Sequence, residues 1–255
     1  MELWSLQHTK TLLPALIIML LLCIGLRAWL GKKELKIRMI PLQIAAVLFL
    51  LLEIGKQVVS FSRGYDLYHI PLHFCSLILF TLPFMAFYQG KFAPGIRAIA
   101  TAVCGATFWL TAIYPCLIYS AGNIENFFVN YLDFHTVAFH NLAMLAYMMI
   151  VALDLHEPST KGEPQRIILF LTVFCVVAAA VSQVLETNYA GFYQCNVPVV
   201  EDIRLSLQPV IGYWPTQLIY IAGLTAVHYG FVLGFYCLYK GLRKLLNRPK
   251  TVAAV

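Results

Sequence analysis

Charge is what this sequence lacks. Only 12% of its 255 residues are Asp, Glu, Lys or Arg, against roughly 25% in an ordinary soluble domain. So little charge cannot solvate the surface of a water-soluble fold of this size, which excludes that class. Internal repeats, low-complexity tracts and a separate polar domain are also missing. There is no paired CxxC and no HExxH, so the commonest metal-binding signatures are absent. The seven cysteines fall almost entirely inside apolar runs, and each reads first as a small buried hydrophobe. The net charge of +6 comes from residues at the ends of those runs, so it orients a chain in a bilayer and gives no nucleic-acid footprint.

What remains is apolar: 60% of the residues are hydrophobic and the mean hydropathy is +0.76. Seven runs of about 20 residues predict helices near 11–30, 39–61, 69–88, 98–118, 132–153, 167–186 and 213–239. Helices are required because lipid offers no partners to an open strand edge. The expectation is an all-α membrane protein, a single polytopic domain over 1–255 with seven transmembrane helices. The first run has no small-residue cleavage site and is expected to stay as a span. Basic residues alternate between connections. Lys32, Lys33, Lys36 and Arg38, then Lys91 and Arg97, then Lys161 and Arg166, and finally Lys240, Arg243, Lys244, Arg248 and Lys250 mark the odd ones and the tail. The positive-inside rule then places the N-terminus outside and the C-terminus in the cytoplasm. With no targeting signal to read, a bacterial plasma membrane is the expected location.

Ionisable residues inside apolar runs are costly and usually functional. The stretch HIPLHFCS, 69–76, puts His69, His73 and Cys75 at the mouth of the third run. On a helix His69 and His73 share a face, whereas Cys75 points about 200° away from His73. A base for Cys75 therefore has to come from elsewhere, and His135 and His140 of the fifth run are available. Five residues apart, at most one of them is expected to aim at a given point. Glu53 and Lys56 are three apart on the second run and can pair. Under the topology above all of these groups, with Asn188 and Tyr189 after the sixth run, fall in the outer half of the bilayer. The sixth connection, about 26 residues with Pro198 and Pro209, is long enough to form a lid or an interfacial segment.

These residues also carry a resemblance. IPLHFCSL (70–77) is similar to the PLHxC signature of the YwaF-like integral membrane family, whose vertebrate branch is regarded as a thiol-dependent phospholipid acyltransferase. The acidic residue of LLLEIGKQ (50–57), the double-histidine segment FHTVAFH (134–140), TNYAGF (187–192) and the Trp214-Pro215 step follow in the same order. The resemblance implies a seven-helix fold with Cys75 at the family's cysteine and His135 or His140 at its histidine.

Two functions follow as expectations. The first is a thiol enzyme of lipid acyl groups, an acyltransferase or hydrolase, in which Cys75 attacks an ester, His140 or His135 moves the proton, and His73, Asn141 or Asn188 steadies the oxyanion. His69, Glu53, Lys56 and Tyr189 support the site. The alternative is a transporter or binding protein whose histidines line a polar cavity for a small molecule, proton or metal ion, although no inverted repeat is apparent. No resident cofactor or metal is expected. The expected partners are membrane lipids, with a phospholipid as candidate substrate, and no nucleic acid.

Overall fold

The computed structural model describes residues 4–117, 119–158 and 162–246; of the basic residues counted above, Lys161, Arg248 and Lys250 lie outside them. Ten α-helices and no strand occur among the described residues. They are α1 (Leu6–Leu30), α2 (Leu35–Arg38), α3 (Ile40–Ser62), α4 (Leu77–Phe87), α5 (Ala93–Ile113), α6 (Ala121–Glu125), α7 (Tyr131–Ala152), α8 (Glu163–Val184), α9 (Pro198–Ile211) and α10 (Tyr213–Leu246). Among the described residues six helical stretches are long and apolar enough to cross a membrane: α1, α2 with α3, α5, α7, α8 and α10.

Local chemistry sets the ends. Ser5 caps α1 in a capping box with His8. Pro41, Pro94 and Pro164 sit in the first turns of α3, α5 and α8, where a missing N–H is harmless. Tyr114 leaves the helical region because Pro115 follows it, so the helix expected over 98–118 starts and stops earlier, at Ala93–Ile113.

The third expected span needs correction. An unbroken helix over 69–88 is not formed: two 3-10 turns, Leu67–His69 and Phe74–Ser76, precede α4, which is only 11 residues long. Pro71 is the local cause. It has no N–H to give, and Ile70 before it is extended, at φ −58° and ψ 132°. His69 and His73 therefore do not share a helix face, and the 200° separation of His73 from Cys75 does not apply. The sixth connection contains α9, whose Val199, Ile203, Val210 and Ile211 are exposed while Arg204 is buried. Such a helix suits the membrane interface.

α5 is the centre of the bundle and packs against α4, α7, α8 and α10. Its buried face is nearly all small: Ala98, Ala102, Gly105 and Ala106 let neighbouring helices approach closely. At Gly105 an added Cβ would meet the Tyr147 ring at 2.9 Å. At one end of the bundle Asp154, just past α7, takes ion pairs from Arg27 of α1 and Arg243 of α10. At the other end His8 Nε2 donates to the Tyr119 carbonyl at 2.9 Å. The polar site lies toward this second end.

Candidate functional site

A cavity of about 440 Å³ opens where the chain between α3 and α4 loses its helical hydrogen bonds. Cys75, His69, His73, His135, His140, Glu53, Lys56 and Asn188 all line it. Irregular backbone is tolerated at membrane depth only where protein or a cavity supplies partners, and here both do. Gln57 Nε2 donates to the His69 carbonyl at 2.9 Å, Ser60 Oγ and His69 Nδ1 are 2.6 Å apart, and Tyr189 Oη donates to the Leu67 carbonyl at 2.5 Å. His73 Nε2 donates to the Tyr68 carbonyl at 2.9 Å.

The charged groups come from the last turns of α3. Glu53 pairs with Lys56 Nζ at 2.8 Å and accepts from Gln57 at 2.6 Å. Across the cavity, His135 Nε2 lies 3.5 Å from Glu53 Oε2 without a formed hydrogen bond. His140 Nδ1 donates to the Thr136 carbonyl at 2.7 Å. That bond fixes the neutral tautomer, so Nε2 carries the lone pair. His135 and His140 both line the cavity.

Three expected roles are corrected. Asn141 does not line the cavity; its Nδ2 donates back to the Val137 carbonyl at 3.0 Å. Tyr189 does not line it either, and is a fully buried clamp on the Leu67 carbonyl. His73 has spent its N–H on Tyr68, which removes it as an oxyanion donor in the neutral form. Cys75 makes no hydrogen bond to an imidazole among the described residues. Active-site hydrogen bonds are often long before substrate binds.

Some lining residues gave no sequence signal. Thr107 and Thr111 of α5 face the cavity, and Thr111 Oγ1 is buried with no hydrogen-bond partner. Gly191 and Asn196 come from the α8–α9 connection. α9 is fastened to α10: Arg204 binds Glu201 through Nε at 2.9 Å and Nη2 at 2.5 Å, and Gln217 of α10 at 2.9 Å. The guanidinium holds the Glu201 carboxyl below the usual carboxylate range. No group of three or more His, Cys, Asp or Glu is arranged to hold a metal ion among the described residues.

Six helical stretches of spanning length among the described residues, of which α3, α5 and α7 line the polar cavity, make this a multi-pass membrane protein. Residues 3–234 match the TMEM164 family, a family of membrane proteins, and the chain belongs to it. No curated protein and no solved structure matches the chain.

Proposed function

We propose that this protein is a membrane-embedded thiol enzyme of lipid acyl groups, transferase or hydrolase, with Cys75 as nucleophile and His140 as base. One observation carries the reading: Cys75 and His140 line the same cavity, and the His140 lone pair on Nε2 is left unspent by the bond from Nδ1 to Thr136. Affinity with the YwaF-like family, whose PLHxC block the chain resembles, is part of this proposal.

Chemistry follows in balanced steps. His140 Nε2 takes the Cys75 proton, and the thiolate attacks the ester carbonyl of a phospholipid. The tetrahedral oxyanion collapses, the alkoxide of the lysolipid leaves with the proton from His140, and a thioester remains on Cys75. An acceptor hydroxyl, or water, then gives its proton to His140 and attacks the thioester, which restores the thiol. Thr111 Oγ1, buried and unpartnered at the cavity wall, is the donor assigned to the oxyanion. Lys56, Glu53 and His135 are positioning residues on the facing walls.

In this reading residues 67–87 make a seventh, broken crossing, with the N-terminus outside and the C-terminus cytoplasmic. Lys32, Lys33, Lys36, Arg38 and Lys91 then lie on the inner side. The cavity opens in the outer half of the bilayer, beside the apolar face of α9, and a phospholipid enters sideways.

Labelling of the purified protein in lipid with an acyl-type thiol probe tests the proposal. Wild type is expected to label, Cys75→Ala to lose the label with its fold intact, and His140→Ala to label more slowly. Labelling of Cys75 no faster than that of the buried Cys104 would end the thiol mechanism. The four imidazoles lining the cavity would then favour a bound proton or small molecule instead.

A further inference from the structure

A second cavity, of about 610 Å³, lies between α1, α5, α7 and α10, away from Cys75. Leu20, Cys23, Ile24, Phe108 and Met148 supply an apolar wall, and Arg27, Asp154 and Arg243 close one end. Arg27 is in the last turn of α1, Arg243 in the last turn of α10, and Asp154 just past α7. The polar end thus sits where three helices reach the bilayer surface. Leu20 is seven residues before Arg27, about 10 Å deeper at 1.5 Å per residue. The shape is that of an acyl-chain groove with a charged mouth.

The charge at the mouth is unbalanced. Asp154 pairs with both Arg27 and Arg243, while Arg38 donates to the carbonyls of Leu153 at 2.7 Å and Asp154 at 3.3 Å. Of the groups lining the groove, two guanidinium groups share one carboxylate. Arg243 is 7% exposed, and its Nε is buried with no hydrogen-bond partner. Deeper in the same groove, Trp109 Nε1 and Tyr147 Oη are buried and face one another. A buried donor left unpaired costs about 1–3 kcal/mol, so Arg243 Nε calls for an acceptor. A phosphate at the mouth has that chemistry. The outer side of α1, with Ile17, Ile18 and Leu21 exposed, leaves the groove next to lipid.

We propose that this groove is a binding site for an anionic phospholipid, separate from the Cys75 cavity, with the phosphate held by Arg27 and Arg243 and one acyl chain lying against Phe108 and Trp109. It ties α1 to α10 through the lipid. The proposal does not depend on the thiol chemistry.

Trp109 lines the groove and provides the readout. The full chain with Trp4, Trp29 and Trp214 replaced by Phe is placed in phosphatidylcholine nanodiscs, and brominated lipid is titrated in. Brominated phosphatidylglycerol is expected to half-quench Trp109 at about tenfold lower mole fraction than brominated phosphatidylcholine, and Arg243→Gln to bring the two within about twofold. Arg27→Gln, at a half-exposed position, should narrow the difference in the same direction and serves if the Arg243 variant does not fold. Equal half-points for the two lipids in the parent protein, or a preference unchanged in both arginine variants that fold, would overturn the site.

Discussion

The side-chain amide of Gln57 donates to the Glu53 carboxylate at 2.6 Å and to the His69 carbonyl at 2.9 Å, so one residue of α3 ties the buried acid to the irregular segment ahead of Cys75. Tyr65 Oη donates to Gln57 Oε1 at 2.9 Å and fixes which way the amide faces. The His69 carbonyl sits where helical hydrogen bonding is interrupted, and in lipid no water replaces a lost donor.

Gln57→Leu should therefore destabilise the protein by about 1–3 kcal/mol and slow probe labelling at Cys75, although the thiol itself is untouched. Thermal unfolding in detergent and the labelling rate measure the two effects. Tyr189→Phe removes the other clamp, on the Leu67 carbonyl, at a cost of about 1–2 kcal/mol. Because both act on the 67–76 segment, the double variant should cost less than the sum of the singles. Strict additivity would mean that the two clamps hold independent parts of the chain.

A pH dependence arises at the opposite end of the bundle. His156, in the connection between α7 and α8, is 3% exposed; its Nε2 lies 3.0 Å from Tyr236 Oη, which donates to Glu163 at 2.7 Å. Burial, with Arg97 and Arg243 nearby, pushes the imidazole down to about 4. Its folded value is thus below its unfolded one, so the unfolded chain takes up the proton first as pH falls. The contribution of this group is fully present above about pH 6.5 and is lost progressively toward pH 4. His156→Gln should cost stability at pH 7.5 yet flatten the fall in melting temperature between pH 6.5 and 4.5. A variant that keeps the wild-type slope would assign the dependence to another group.

Hydrophobic runs were enough to locate the long helices, because a span of apolar residues in lipid has few conformational alternatives. The exception was the segment before α4. Its apolar composition reads as a helix, and Pro71 alone does not reveal that Gln57 of α3 and Tyr189 after α8 satisfy the backbone instead. Cys75 and both histidines of α7 stood out because ionisable groups are rare in such runs. Which way each side chain points depended on tertiary packing: Asn141 follows His140 directly and faces elsewhere. Thr111 carried no charge to mark it, and only its missing partner makes it conspicuous.

Thr111 separates catalysis from structure more cleanly than any charged residue here. Its side chain is 0% exposed, lines the Cys75 cavity, and has an unpaired hydroxyl, whereas Thr107 one turn earlier donates to the Val103 carbonyl at 3.0 Å. Thr111→Val keeps the shape and removes a donor that the resting protein does not use, so folding stability should hold or rise by about 1 kcal/mol. If the hydroxyl meets the oxyanion, acyl transfer should nevertheless fall by about 10²-fold, the usual scale for losing one such donor. An alkylating thiol reagent forms no tetrahedral oxyanion, so its rate at Cys75 should be unchanged while acylation slows. Loss of both reactions together with a lower melting temperature would instead mark Thr111 as a packing residue. No change in either would move the oxyanion donor to the Asn188 amide or to the backbone around Cys75.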